Sequence, residues 1–141
     1  MAPTALKDMT QKIIDVLNTD ATLHSTVKTW AFGEPISTVI LPLIWVQLEG
    51  GPYKWKSVHA MQQVLRYLVV VQDRSSISRD AAEKSCMDLM DLVTAKLKAN
   101  PTLDNSCRYI GFSDLENRPK KEADYAIAEI QLRILVEREY A

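Results

Sequence analysis

Glycine, cysteine and histidine are all scarce in this sequence. Its 141 residues include four glycines, two cysteines and two histidines. Four glycines are too few for a glycine-rich phosphate-binding loop, and Gly50-Gly51 followed by Pro52 is typical of a turn. Two cysteines cannot form a disulfide framework in a chain of this size, so Cys86 and Cys107 are expected to be reduced, partly buried thiols.

The residue combinations that catalysis or metal binding needs are also missing. His24 and His59 stand far apart, and neither has a second histidine or cysteine at a zinc-ligand spacing. Cys86 falls on the apolar stripe of a predicted helix, where a catalytic thiolate would be poorly stabilised. Because no convergent set of titratable groups is recognisable, the sequence predicts a protein that is not an enzyme and uses no cofactor or metal.

Charge of one sign and long apolar runs are absent as well. The 17 basic and 18 acidic residues leave a formal net charge of −1, without the basic excess of a dedicated nucleic-acid-binding protein. The longest apolar stretch, Val39 to Val46, is interrupted by Pro42 and is too short to cross a bilayer. No leader pattern follows Met1, so the protein is expected to stay in the compartment where it is made.

What the sequence does contain is a clear order of periodic segments. The predicted elements are a helix over 4–18, a helical turn near 21–25, an extended segment at 27–32, strands at 41–48, 53–56 and 62–72, a helix at 79–99, a strand at 108–112, a loop or hairpin tip at 113–121 and a strand at 124–137. This order predicts one α+β domain over residues 1–141, a mainly antiparallel sheet of about four to five strands covered on one face by two helices. The final strand alternates strictly, and the partly apolar second face of so long a sheet favours a partner.

Two short segments are candidate contact loops. In the first, aromatic residues alternate with lysines, which predicts a hairpin arm that packs on a neighbouring subunit or, alternatively, stacks on single-stranded nucleic acid. Its residues are Tyr53, Lys54, Trp55 and Lys56. The second is a basic cluster at a predicted loop tip, either a solvated turn or an exposed contact at a partner or a pore. It contains Arg118, Lys120 and Lys121.

Six stretches of the chain, taken in order, resemble a known family. A strand carrying PLIWVQLEGG precedes the lysine-aromatic hairpin, and VLRYLVVVQDRSS runs into the helix SRDAAEKSCMDLMDLVTAKL. The chain closes on the strand YAIAEIQLRILVEREY. Together with the N-terminal helix, these segments resemble the tail terminator, tail completion and head-tail joining proteins of long-tailed bacteriophages. The likeness covers nearly the whole chain and lies in element order and texture, without a catalytic signature.

The resemblance implies a sheet packed against two helices and a homo-oligomeric ring, usually a hexamer, at the head-proximal end of the tail. Such a ring stops growth of the tail tube and offers a docking surface to the head connector. Its partners would be the tail-tube protein, the connector or neck protein and, transiently, DNA in the lumen, with no membrane involved. The location would be the virion tail or neck, after synthesis in the host cytoplasm.

A ring needs a heterologous interface, in which one surface of a subunit meets a different surface of the next. We therefore expect the segments at 53–56 and 118–121 to meet neighbouring rings or to line the lumen. A tail-tube or connector subunit, whose sheet would also polymerise, is the alternative within the same setting. A small α+β module that binds a ligand or nucleic acid is the alternative from a different class.

Overall fold

The computed structural model describes residues 4–35, 40–55, 57, 61–75, 78–118, 120–122 and 125–140. These residues form three helices and seven strands. The helices are α1 (Leu6–Asn18), α2 (Ala21–Thr26) and α3 (Arg79–Ala99). The strands are β1 (Thr29–Phe32), β2 (Leu43–Gly50), β3 (Tyr53–Trp55), β4 (Met61–Ser75), β5 (Tyr109–Asn117), β6 (Lys120–Glu122) and β7 (Tyr125–Tyr140).

All seven strands belong to one sheet with the order β1-β2-β4-β7-β5. The short strand β3 pairs with β4 on the same side as β2. The register of β5 with β7 shifts between Phe112 and Asp114, and the short strand β6 pairs with β7 in that shifted register. Every pairing is antiparallel except that of β1 with β2, which is parallel. The predicted α+β class is confirmed, and α2 and β3 lie where a helical turn and a short strand were predicted. The parallel pairing of β1 with β2 and the short strand β6 were not predicted.

The centre of the sheet is one long two-stranded ladder. β4 and β7 pair without interruption from Met61 opposite Tyr140 to Ser75 opposite Ala126. At ~3.4 Å per residue, this ladder is about 48 Å long. β2 and β5, on either side of this ladder, are shorter, so both ends of the ladder extend beyond them.

The two ends of helix α3 are determined by a capping serine and a following proline. The Ser78 side chain accepts a hydrogen bond from the backbone N–H of Ala81 at 3.1 Å, which caps the first turn. Pro101 follows two residues after the last helical residue, Ala99, and its ring is incompatible with a continued helix. One face of the helix is buried over β4 and β7. The buried residues of that face are Ala82, Cys86, Leu89, Met90, Val93 and Leu97.

Alternation along the strands produces two apolar layers. On the helix-covered face, residues such as Val69 and Ile134 join α1, α2 and α3 in the main core. On the opposite face, a smaller cluster packs together, with Ala31 and Leu41 against it. That cluster consists of Leu43, Trp45, Leu68 and Val70. Along β2 and β4, the sheet therefore buries side chains on both of its faces.

The predicted loop at 113–121 is wrong for most of its length. β5 continues through Ser113 to Asn117, and β6 begins at Lys120. The polar composition of this stretch suggested a loop because β5 lies at the edge of the sheet, where side chains of both faces stay exposed. β6 stays paired with β7 up to Glu122 opposite Tyr125, so strand pairing continues past the loop that the sequence suggested.

Candidate assembly surfaces

The first candidate surface is the end of the sheet that β3 forms, here called the arm (Tyr53–Trp55). Its two aromatic side chains point to the helix-covered face, because Tyr53 lies opposite Gln63 and Trp55 opposite Met61 in the register with β4. They are 56% and 69% exposed, respectively, which is unusual for side chains of this size. Lys54 points to the opposite face and is also exposed. Lys56 lies outside the described residues.

Glycines 50 and 51 allow β2 to continue into the arm. Gly50 has a φ of +114°, a conformation that other residues rarely adopt, at an irregularity in the pairing with β4. Gly51 lies directly against the backbone of β4, where a side chain would overlap Val64. The amide of Val64 in turn donates to the carbonyl of Pro52 at 3.4 Å. β2 ends at Gly50, as the Gly-Gly-Pro sequence predicted, and the chain stays alongside β4 as it passes from β2 into the arm.

The second candidate surface is the basic segment near β6. Arg118 forms an ion pair with Glu116, with 3.1 Å between Nε and Oε1. The Glu116 carboxylate raises the pKa of the Arg118 guanidinium, and Arg118 with Arg133 lowers the pKa of Glu116. The charge of Arg118 is thus partly neutralised within the chain. Lys120 and Lys121 have backbone positions in β6 opposite Ile127 and Ala126, and their side chains lie outside the described residues.

The two predicted contact segments do not come together. The arm pairs with β4 at residues 61–63, the first residues of that strand. β6 pairs with β7 at residues 125–127, next to residues 74 and 75 at the far end of β4. Nearly the full length of the central ladder separates them, so they lie at opposite ends of the sheet and cannot form one site within a chain.

A third surface lies on β5, and sequence reasoning missed most of it. Phe112 and Leu115 lie opposite Ile134 and Leu132, so their side chains are on the helix-covered face of the sheet. They are 43% and 59% exposed, since α3 packs over β4 and β7, and α1 packs over β1 and β2 at the other side of the sheet. The sequence signal for this surface was the presence of two large apolar residues within an otherwise polar segment. Asp114 is exposed and has the parity of the other face, opposite Arg133.

The outer edge of β5 is partly closed to further strand pairing. The N–H of Ile110 donates to the carbonyl of Pro101 at 2.8 Å. The N–H of Leu115 donates to Oδ1 of Asp114 at 2.9 Å. Arg118 N–H bonds to Glu129 in β7, so by alternation the Leu115 N–H points away from β7. Capped donors of this kind discourage the addition of another strand, and side chains are what this edge presents.

Charged and amide groups cross the sheet face opposite the helices. Arg133 bridges Glu49 in β2 and Glu116 in β5, with N–O distances of 3.3 and 3.5 Å. Farther along β7, the buried Glu129 carboxylate accepts hydrogen bonds from Gln72 at 2.6 Å and from Gln131 at 2.8 Å. These contacts link strands laterally and satisfy the polar groups that the sequence places on this face.

Neither thiol has the properties of a nucleophile. Burial raises the pKa of Cys86 to about 12, with the Asp73 carboxylate adding to the effect, and burial raises that of Cys107 to about 11. Both cysteines are free, as predicted. Across the described residues, no group of three histidine, cysteine or acidic side chains has the arrangement of a metal site. Within the same residues, no helix has the length and apolar character that a membrane span needs.

Comparisons with known proteins give a likeness to solved structures only. No family model matches the chain, and no curated protein matches it. Among solved structures, a chain in the virion of a native gene transfer agent particle is similar, with a TM-score of 0.47 and 14% sequence identity. The match covers 89% of this chain and 91% of that one. At this level of identity and overlap, the likeness carries no argument about function.

Proposed function

We propose that this chain is a structural protein of a phage-type virion and that it acts without catalysis as a tail terminator. In this proposal, copies assemble side by side into a ring, with six subunits as the expected number. The ring caps the tail tube on one side and receives the head connector on the other. The residue pattern quoted above for the terminator family is the starting point of the proposal.

The observation that carries the proposal is the placement of the arm and of β6 at opposite ends of the central ladder. A terminator has to contact different proteins on its two sides. A subunit about 48 Å long, with exposed aromatic residues at one end and a basic hairpin at the other, has distinct surfaces for that purpose. The exposed residues of β5 add a lateral surface, which a ring also needs.

DNA passing through the lumen would need only weak and non-specific contact. Lys120 and Lys121 are the residues proposed for this role, because Arg118 already pairs with Glu116. The net charge of −1 agrees with a protein that holds DNA loosely. Tight binding of single-stranded DNA by the isolated subunit would instead favour the binding-module alternative.

The mass in solution tests the proposal, by light scattering behind a sizing column over a range of concentrations. A ring of six has a mass of about 96 kDa, six times the 16.0 kDa of the chain. If the chain stays monomeric, mixing it with tail tubes of the same phage is the deciding step, with electron microscopy of the tube ends. Rings at one end of each tube support a terminator. Open-ended polymers favour a tube subunit, and failure to bind tubes in any form contradicts the proposal.

A further inference from the structure

We infer that neighbouring copies meet through the arm of one subunit and the β5 edge of the next, with Lys54 of one copy against Asp114 of the other. This contact deepens the proposed function and rests on it for the expectation of a closed ring. It names a second copy of this chain as the occupant of the exposed β5 surface. The contact itself can be right or wrong independently of what the assembled ring does.

The arm and the outer half of β5 lie on opposite edges of the sheet. Two strands, β4 and β7, separate them laterally, which is three spacings of ~4.8 Å or roughly 14 Å. They are also offset along the strands, because the arm pairs with residues 61–63 of β4 while Phe112 and Leu115 are level with Tyr67 and Val69, roughly 20 Å farther along. Different surfaces on opposite edges are what a head-to-tail contact between identical subunits requires, whereas a two-fold dimer would use one surface twice.

The two surfaces have matching patterns on both faces of the sheet. In the arm, Tyr53 and Trp55 lie on the helix-covered face and the cation of Lys54 lies on the other. In β5, Phe112 and Leu115 lie on the helix-covered face and the carboxylate of Asp114 lies on the other. Placing the edges side by side with the faces aligned therefore puts apolar groups against apolar groups and the lysine near the aspartate.

The energetic roles of these groups differ. The exposed aromatic side chains supply the apolar area that anchors protein interfaces, and tryptophan and tyrosine are common at such positions. The charge pair contributes mainly to orientation, because reversing one of its members places like charges together. In the described part of the chain, Lys54 and Asp114 take part in no ion pair, so both are available to a neighbour. The capped Leu115 N–H indicates that the contact uses side chains and not a continued backbone ladder.

The test is a charge exchange combined with zero-length crosslinking. Lys54→Glu and Asp114→Lys should each weaken self-association by about tenfold or more, since like-charge contacts cost several kcal/mol. The double variant should recover most of the lost association. Lys98→Glu and Asp88→Lys, at exposed positions on α3, are matched controls that should associate as the parent does. Asp114→Asn keeps an acceptor for the Leu115 N–H and separates loss of charge from loss of the cap.

Carbodiimide treatment of mixed heavy- and light-isotope protein should give a Lys54–Asp114 crosslink between copies, in solution at high concentration and on tail tubes. Absence of that crosslink under both conditions overturns the inference. Normal assembly of both single charge variants also overturns it. If the single variants lose association, failure of the double variant to recover it overturns the inference as well. If rings cap tails but the charge variants assemble normally, the contact is wrong and the proposed function stands. If the crosslink forms within open polymers or oligomers that ignore tails, the contact stands and the terminator role is wrong.

Discussion

Gly51 lies so close to the backbone of Val64 that a Cβ atom on the glycine would overlap the Val64 carbonyl and come within 2.9 Å of the Leu65 Cα. Both neighbouring groups belong to β4, which is paired on its other side with β7 and cannot move aside easily. The glycine is therefore required by close approach of two strands. This contact fixes the arm to the central ladder.

Gly51→Ala is expected to destabilise the fold by roughly 2 kcal/mol or more, because backbone atoms have to shift to make room for the methyl group. Urea denaturation with a circular dichroism readout measures the change. Gly111→Ala is the matched control in the same sheet, where no atom lies within 4 Å of the added methyl group. It should be neutral or slightly stabilising. Equal losses in the two variants would contradict the packing argument.

Tyr67 is fully buried and its hydroxyl lies 3.1 Å from that of Thr10 in α1. Because the Thr10 hydroxyl already donates to the Leu6 carbonyl, the tyrosine is the donor in this pair. Tyr67→Phe should reduce the free energy of unfolding by about 1 kcal/mol, the usual worth of a buried neutral hydrogen bond. The urea midpoint measures the loss. Tyr53→Phe, in the exposed arm, is the comparison and should leave stability nearly unchanged.

Alkaline pH should destabilise the protein in a defined window. The pKa of Cys86 is raised from 9.0 to about 12 and that of Cys107 to about 11, so the folded state keeps protons that the unfolded state loses. Since stability rises with pH only where the unfolded state binds more protons, it must fall here. The loss begins near pH 9 and continues towards pH 12. Urea midpoints measured across this range give the slope, and Cys86→Ala should make it shallower. An unchanged slope in that variant would be inconsistent with the assigned pKa.

Arg133 joins two carboxylates from different strands, and a lysine cannot reproduce both contacts. Arg133→Lys should cost about 0.5–1 kcal/mol at low salt and less at high salt, because partly exposed ion pairs are weak and screened. Thermal unfolding at two ionic strengths measures the difference. Lys84→Ala removes the exposed pair with Asp80 on α3 and should have a smaller effect.

Much of the fold could be predicted from the sequence because its longest elements have the clearest periodicity. The bounds of α3 are as predicted, and β7 is the predicted final strand with a few more residues. The parallel pairing of β1 with β2 could not be read, because four residues of mixed polarity give no register signal. β5 was truncated because Ser113, Asp114 and Glu116 have low strand preference and only the pairing with β7 makes them extended.

The candidate surfaces were predicted less completely. The exposed aromatic residues of the arm follow from their alternation with lysine, which is visible in the sequence. The distance between the arm and the basic segment depends on strand order and register, and neither is encoded locally. The apolar character of Phe112 and Leu115 is visible in the sequence, but their exposure is not, because exposure at a sheet edge depends on which strands the helices cover.

The central place of β7 has a consequence for the order in which this protein can fold during synthesis. β7 pairs with β4 on one side and with β5 and β6 on the other, yet it follows all of them along the chain. Until residues 125–140 leave the ribosome, the edges of β4 and β5 that face β7 are unpaired. The core also lacks the apolar side chains that β7 contributes to it. The nascent chain thus holds two unpaired strand edges that could join other chains. A fragment that ends before residue 125 would therefore be prone to aggregate, and the sheet is complete only after β7 has been made.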